Sequence, residues 1–386
     1  MSQKFSIPSR RMGGPTTHVN LRFPSELTQI LDKYVTGQDE AKKKIAVAVF
    51  NHVCRRIQAL DPKLSNTRKG RPPFLGKSNL LIAGPSGSGK TFMLRTLLRE
   101  LDIPYFIADC TTMTEAGYVG SDVESCLSGL IAAAGNDMEK AKFGVVVLDE
   151  FDKITAKVAS MNRTRDVGGL GVQQAILKIV EGGQVGVPPN GGRIHPDMKL
   201  NQFDTSGVLF VALGAFTGLD GIVKERILGE KGAEAVESIA CPFDCAEPED
   251  FIKYGIIPEL IGRFSTVTGV RPLSEDDLYN ILANPESSVI RQYNEMLAPL
   301  DTSIEMNDAA MRLIAAVAGK VGTGARSLRC IVDEVLTDIL YGITEKEKGK
   351  KIHVTKKAVE EQLSTRYGTL LKCATQPGKR NLKKAS

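Results

Sequence analysis

The chain has 386 residues, of which 42% are apolar and 25% are charged, which is the composition of a globular protein long enough for two or three domains. No apolar run approaches the roughly 20 residues that span a bilayer, so a membrane span is not expected. The formal net charge of +5 is mild, so nucleic-acid binding is not expected either. The seven cysteines are scattered and odd in number, which favours reduced thiols and a cytoplasmic location, with organelle targeting left open.

Up to Arg271 the chain alternates between apolar segments and helical periodicity. Residues 1–23 are basic and contain no acid, so we predict a flexible arm there. Helices are predicted over Leu27–Tyr34 and Asp39–Leu60, and a basic surface loop over Pro62–Lys77. The predicted strands are Leu80–Ala83, Tyr105–Ala108, Val145–Leu148 and Val208–Leu213. Strands that alternate with helices indicate an α/β fold with a parallel sheet covered on both faces.

After Arg271-Pro272 helical spacing dominates. Ser274 can cap a helix whose first turn is acidic. Further helices are predicted over Glu286–Met296, Ala309–Ala318, Leu328–Leu340 and Lys356–Leu363, and strands over Ser303–Met306 and Lys351–Val354. The prediction is therefore a large α/β domain over residues 24–268, a small, mostly helical domain over residues 269–366 and a basic tail over residues 367–386.

A glycine-rich segment joins the first of those four strands to a helix and fits the pattern G-x-x-x-x-G-K-S/T. Its residues are Gly84, Pro85, Ser86, Gly87, Ser88, Gly89, Lys90 and Thr91. Glycines carry no Cβ to keep a phosphate away from backbone N–H groups, and the helix directs its positive end at the same place. Lys90 can reach the β- and γ-phosphates of ATP, and the Thr91 hydroxyl can ligate Mg²⁺. We expect Phe92 and Leu94 in the apolar stripe of this helix.

Two acids follow the predicted strand Val145–Leu148 and reach the sheet edge at which α/β proteins bind ligands. Asp149 is predicted to hold Mg²⁺, directly or through water, and Glu150 to polarise the attacking water. Arg263 and Arg326 are candidates for stabilising the charge that develops on the transferred phosphoryl group. From the residues alone, either arginine would be an ordinary surface residue.

From about Pro24 to Leu363 the chain resembles the ClpX family of AAA+ protein unfoldases. Besides the glycine-rich segment, the motifs that carry the resemblance are YVTGQ at 34–38, GYVG at 117–120, LDEFDK at 148–153, TRDV at 164–167, GVQQ at 171–174, VPPNGGRIHP at 187–196, GAF at 214–216, IPELIGR at 257–263 and TGAR at 323–326. The sister unfoldase HslU shares the GYVG motif, but the segment 187–196 favours ClpX.

The resemblance implies that the chain forms a homo-hexameric ring, hydrolyses ATP with Mg²⁺ and threads polypeptide substrates through a central pore. Tyr118 and Val119 would grip the polypeptide, because an aromatic ring between glycines contacts any backbone without reading its sequence. The second pore loop and the pore entrance would contain Arg165, Asp166, Arg193 and His195.

The resemblance also implies nucleotide contacts outside the glycine-rich segment. Arg263 would act on the ATP of the neighbouring subunit. Arg326 would report the state of the nucleotide to the small domain, and the backbone around Val35 and Thr36 would hold the adenine.

The sequence departs from the family pattern at four places. Residues 1–22 contain no cysteine, so we expect the zinc domain of bacterial members to be missing. The Ile-Gly-Phe tripeptide that docks on the ClpP peptidase is absent between Gly218 and Pro248, which makes a ClpP partner doubtful. The pore entrance has Ile194 in place of a lysine, and no polar sensor residue is evident after the strand Val208–Leu213.

Three other functions stay open. A DNA-acting AAA+ machine, such as a clamp loader, would need a DNA-binding element, for which only the basic ends are candidates. A scaffold that has lost catalysis would not need intact Lys90, Asp149 and Glu150. An HslU-like protease subunit would share the ring and the ATPase chemistry.

Overall fold

The computed structural model describes residues 3–7, 17–60, 76–114, 121–155, 169–188, 200–284, 286, 288–344 and 348–375. The chain divides into two compact units. The first comprises Met1–Leu31, Gln38–Pro85 and Lys90–Arg271, and the second comprises Asp32–Gly37, Ser86–Gly89 and Pro272–Ser386.

The regular elements follow in chain order. The strands are β1 (Gln3–Ile7), β2 (Thr17–Leu21), β3 (Leu80–Ala83), β4 (Tyr105–Asp109), β5 (Met113–Thr114), β6 (Ser121–Asp122), β7 (Val145–Asp149), β8 (Gln184–Val187), β9 (Asn201–Asp204), β10 (Leu209–Gly214), β11 (Thr266–Gly269), β12 (Ser303–Met306) and β13 (Lys351–Val354). The helices are α1 (Pro24–Tyr34), α2 (Asp39–Leu60), α3 (Lys90–Glu100), α4 (Ser125–Ala133), α5 (Met138–Ala141), α6 (Gly169–Glu181), α7 (Leu219–Lys231), α8 (Ala233–Glu237), α9 (Pro248–Tyr254), α10 (Pro258–Ile261), α11 (Glu275–Ala283), α12 (Val289–Leu297), α13 (Asp308–Val321), α14 (Ala325–Tyr341) and α15 (Lys356–Thr375). Among the helices of the described residues, none has the length and apolarity needed to cross a membrane.

The core of the first unit is a parallel sheet of five strands in the order β11-β3-β10-β7-β4. Strands β3 and β10 are apolar and buried along their length, and β7 is so up to its last residue, Asp149, as a sheet covered on both faces requires. The predicted α/β fold and its four strands are confirmed. The fifth strand, β11, was not predicted, because its sequence TVTG lies at the edge of the sheet and lacks a continuous apolar run.

The N-terminal segment differs from the flexible arm that its charge predicted. Strands β1 and β2 pair antiparallel, with Phe5 opposite Val19. Apolar residues alternate with polar ones in both strands, which is the periodicity of a half-buried strand. The excess of basic residues concealed this weaker pattern.

The described residues of the second unit are mostly helical and include one parallel strand pair, β12 with β13. Ser274 caps α11 as predicted, and the side chain of Asp277 bonds back to the Ser274 N–H to complete a capping box. The last helix, α15, continues to Thr375 through a non-helical residue at Tyr367. The helix thus extends into the segment that we predicted as a basic tail. Leu371 in this segment is buried against the same core as Leu363, which explains why the helix continues.

A buried carboxylate holds together the segment between α7 and α9. Asp250 is fully buried, and Arg226 donates from Nε to its Oδ1 at 3.0 Å and from Nη2 to its Oδ2 at 3.1 Å. The same carboxylate accepts the N–H of Glu247 at 2.9 Å. The hydrogen bond to Asp250 is the main reason why the pKa of Arg226 is raised above its ordinary value.

We expect Asp250→Ala to lower the free energy of unfolding by about 1–3 kcal/mol, because it removes the buried carboxylate that accepts hydrogen bonds from Arg226 and from the Glu247 N–H. Glu230→Ala is the control. It removes another carboxylate that contacts Arg226, but the Glu230 side chain is 49% exposed. The control should cost less than about 1 kcal/mol. Denaturation in urea measures both, and equal losses would contradict a special role for the buried carboxylate.

Candidate active site

The glycine-rich segment begins at the carboxyl end of β3. Gly84 donates its N–H to the Gly214 carbonyl at 3.2 Å, which ties the end of β3 to the end of β10. A Cβ at Gly84 would lie 2.4 Å from the Val270 carbonyl oxygen, so only glycine fits there. Gly87 and Gly89 have φ values of +74° and +93°, which L side chains rarely adopt. The backbone path of the loop therefore depends on its glycines.

Lys90 is the first residue of α3 and is 8% exposed. Its Nζ donates to the carbonyl of Gly84 at 2.6 Å and to that of Pro85 at 2.9 Å. The amine thus lies against the loop that precedes it, at the positive end of α3. On the same helix Met93 and Leu94 are buried, whereas Phe92, which we expected in the apolar stripe, is 46% exposed. Phe92 lies about 200° around the helix from the buried Leu94 and so points away from the core.

Thr91 and Asp149 form the second part of the site. The Thr91 hydroxyl donates to Asp149 Oδ2 at 3.0 Å, which joins the start of α3 to the end of β7. A hydroxyl beside a carboxylate is a donor set that suits Mg²⁺. The described residues contain no group of three or more His, Cys, Asp or Glu side chains that could hold a metal. Mg²⁺ at this pair would therefore take its other ligands from phosphate and water.

Glu150 follows Asp149 in an unusual backbone conformation. Its φ and ψ are 55° and 35°, in the left-handed region that residues other than glycine seldom occupy. Its N–H bonds to Asp149 Oδ1 at 2.9 Å, and its side chain is exposed. The next residue, Phe151, is fully buried and anchors the turn. Strain of this kind persists only where the surroundings enforce it, and it often occurs at functional sites.

Asp152 is a buried residue of this region that the sequence reasoning missed. It is 3% exposed, and its Oδ1 accepts the N–H of Ala215 at 3.0 Å. Its Oδ2 accepts from Lys153 at 2.9 Å, and this bond is the main reason why the pKa of Lys153 is raised. Asp152 therefore joins the turn after β7 to the turn after β10. A third acid within the LDEFDK motif was the available sequence signal.

Arg263 lies at the opposite end of the sheet from the glycine-rich segment. Asn79, which precedes β3, donates from Nδ2 to the Arg263 carbonyl at 2.9 Å. The guanidinium bonds to Glu181 Oε1 at 2.5 Å. Strand β3 has four residues, so about 13 Å of strand separates Asn79 from Gly84. The structure thus does not bring Arg263 together with Lys90 and Asp149 within one chain.

The remaining nucleotide candidates belong to the second unit. Val35 is buried and Thr36 half-buried, in a segment whose Lys33 carbonyl accepts from Asn284 at 2.9 Å. Ala325, the first residue of α14, donates its N–H to the Gly87 carbonyl at 3.0 Å. Arg326 is the next residue of that helix and is exposed.

The predicted pore residues lie outside the described residues. These are Tyr118, Val119, Arg165, Asp166, Arg193 and His195. Most of the predicted loop over Pro62–Lys77 lies outside them as well. Their roles stay predictions.

Comparisons with known proteins agree with this arrangement. Residues 76–267 match the family described as "AAA domain (Cdc48 subfamily)". Residues 273–355 match the family described as "C-terminal, D2-small domain, of ClpB protein". These two families cover the sheet with its surrounding helices and the helical second unit.

Among relatives, "ATP-dependent Clp protease ATP-binding subunit ClpX" of Treponema denticola is 40% identical over 343 residues, which are 87% of this chain and 81% of the relative. The proteins of the same name from Borrelia duttonii and Borrelia recurrentis are each 41% identical over 346 residues, 88% of this chain and 79% of theirs. The predicted family, ClpX rather than HslU, is confirmed, and so is ATP hydrolysis as the activity. The chain belongs to the ClpX family of AAA+ ATPases.

Proposed function

We propose that this chain is a subunit of a homo-hexameric ring that hydrolyses ATP to unfold or remodel proteins by threading polypeptide through its pore. The single observation that supports a ring is the distance between Arg263 and the glycine-rich segment within one chain. Arg263 lies at the amino end of β3 and Lys90 beyond its carboxyl end. Within one chain Arg263 therefore does not reach the phosphates, and the Arg263 of a second copy would act there. Such head-to-tail contacts form a ring when the rotation between copies closes.

Within one site the residues divide the chemistry. The loop amides and Lys90 bind the β- and γ-phosphates. Thr91 and Asp149 would hold Mg²⁺, which would supply positive charge to the phosphate oxygens. Glu150 polarises the attacking water and accepts its proton. Arg263 of the neighbouring subunit stabilises the charge on the transferred phosphoryl group.

The second unit responds to the nucleotide in this proposal. Residues 24–268 act as the large ATPase domain and residues 269–366 as the small domain, and the division of the chain at Arg271 supports a boundary near there. Val35 and Thr36 hold the adenine through their backbone. Arg326 senses the phosphates, and the hydrogen bond between Ala325 and Gly87 supports this assignment.

The polypeptide is handled by residues outside the described part of the chain. Tyr118 and Val119 grip it by dispersion contacts that do not depend on its sequence. Arg165 and Asp166 act from a second loop, and the pore entrance contains Arg193 and His195. The support for these assignments is the set of sequence motifs.

We further propose that the ring works without stable docking on a ClpP-type peptidase, although its relatives are named as Clp protease subunits. The segment that would contain the docking tripeptide is folded. Phe243 is 8% exposed, and Ile239 packs against the core of the first unit. The Gly269 N–H bonds to Asp244 at 3.0 Å and holds the segment against β11. Neither apolar side chain is free to act as a plug.

We expect Glu150→Gln to keep ATP binding and to lose hydrolysis by about 10²–10⁴-fold, because it removes the general base. Lys90→Ala should instead lose nucleotide binding. Steady-state ATPase assays and ATP-driven unfolding of a tagged folded protein measure the effect. Turnover and unfolding within a few-fold of wild type would show that Glu150 is not the base.

Arg263→Ala should bind ATP and hydrolyse it about 10³–10⁵-fold more slowly, because the transition-state charge loses its partner. Mixing this variant with Glu150→Gln subunits should restore activity, since a site that combines the intact Glu150 of one subunit with the intact Arg263 of the other is complete. No recovery at any mixing ratio would contradict action between subunits.

We expect the ATP-loaded ring and ClpP from the same source to elute separately in gel filtration. Without a plug on any subunit, the avidity that six weak contacts would provide is absent. A ClpX that carries the Ile-Gly-Phe tripeptide, run with its own ClpP, is the positive control. A stable complex that degrades a folded substrate would contradict the proposal.

A further inference from the structure

The guanidinium of Arg263 has a partner that the assigned roles do not explain. Arg263 Nη2 donates to Glu181 Oε1 at 2.5 Å, and the two side chains are 50% and 41% exposed. Glu181 is the last residue of α6 and precedes Gly182 and Gly183. The Gly183 carbonyl accepts the N–H of Thr205 at 2.9 Å, which holds this turn near the amino end of β10. The ion pair thus lies at the same edge of the sheet as Asn79.

The main chain of Arg263 is fixed independently of this ion pair. Its N–H bonds to the Leu260 carbonyl at 3.0 Å, and its carbonyl accepts from Asn79 at 2.9 Å. Its neighbour Phe264 is buried and contacts the ring of Phe151 edge-on at 5.5 Å. With the main chain fixed, Arg263 can move only by rotation about its side-chain bonds, and the ion pair with Glu181 restricts this rotation.

Helix α6 and the segment before Arg263 are bound to each other. The fully buried Gln173 of α6 donates to the carbonyls of Ile154 and Gly255, at 3.0 and 3.1 Å. Its Oε1 accepts the N–H of Ile257 at 2.8 Å. Glu181 and Arg263 therefore belong to segments that are hydrogen-bonded to each other. Because their backbones are held together, one side chain can orient the other.

Helix stability does not account for Glu181. A carboxylate in the last turn of a helix lies at the negative end of the dipole, where a cation is favoured. An exposed ion pair also contributes little to folding. Neither helix stability nor folding stability therefore explains the ion pair between Glu181 and Arg263. Its remaining effect is to orient the Arg263 side chain.

We propose that Glu181 is a positioning residue for Arg263. It binds the guanidinium through one N–H of Nη2 and leaves the other donors for the γ-phosphate of ATP in the neighbouring subunit. Without Glu181 the side chain samples other rotamers, and kcat falls by about 5- to 30-fold, the factor that corresponds to the rotamer freedom of an arginine. This inference rests on the proposed action of Arg263 between subunits.

Mixed rings test it. Subunit X carries Glu150→Gln and offers an intact Arg263, and subunit Y carries Arg263→Ala and offers an intact Glu150. Adding Glu181→Ala to X should lower kcat of the mixture by about 5- to 30-fold with KM for ATP unchanged. The same change in Y, which has no Arg263 to position, should cost less than about twofold. Glu181→Gln in X, which keeps a neutral acceptor, should give an intermediate loss.

The matched control is Glu334→Ala in X, because Glu334 forms a similar exposed pair with Arg366 in the second unit, at 3.0 Å. It should leave the mixture within about twofold of its parent. Equal losses from Glu181→Ala in X and in Y would indicate a structural role and overturn the proposal, and so would no loss in X. A parent mixture of X and Y without activity would overturn the action of Arg263 between subunits, and this inference with it.

Discussion

The parallel pairing of β3 with β10 and β11 decides where the charged groups of the active site lie. All strands of this sheet point the same way, so residues that follow them gather at one edge and residues that precede them gather at the other. Lys90 and Asp149 belong to the first edge, and Arg263 belongs to the second. The proposed mechanism of ATP hydrolysis uses both edges, which a single sheet cannot bring together. In that proposal assembly is a chemical requirement as well as a structural one.

At the carboxyl edge the turns after β7 and β10 restrain each other. Asp152 bonds to the backbone of Ala215, and Gly84 bonds to Gly214. Glu150 lies in the first of these turns, in a left-handed conformation and with its side chain exposed. Its proposed role as general base needs such a position, because the side chain must reach water while the main chain stays in place. The buried apolar strands hold the ends of both turns in place, and the hydrogen bond between the turns restrains their conformation.

The sequence predicted those parts of the fold and site that depend on local pattern. The glycine-rich loop, Asp149 and Glu150 could be assigned to one edge of the sheet because they lie at a strand end or a helix start. The edge strand β11 could not, since its two threonines interrupt the apolar pattern. The placement of Arg263 depends on a contact with Asn79, 184 positions away, which no local pattern contains. Glu181 was missed for the same reason, although an acid at the end of a helix was a visible anomaly.

Helix α6 is connected at both ends to groups of the proposed mechanism through bonds within its own unit. Its 13 residues form a rod about 20 Å long that begins at Gly169, three positions after Asp166, and ends at Glu181. Gln173 bonds this helix to Gly255 and Ile257, which precede Arg263. In the proposed ring, a shift of α6 as a rigid body would carry Glu181 and the support of Arg263 with it, and would change the rate at which the neighbouring subunit hydrolyses ATP.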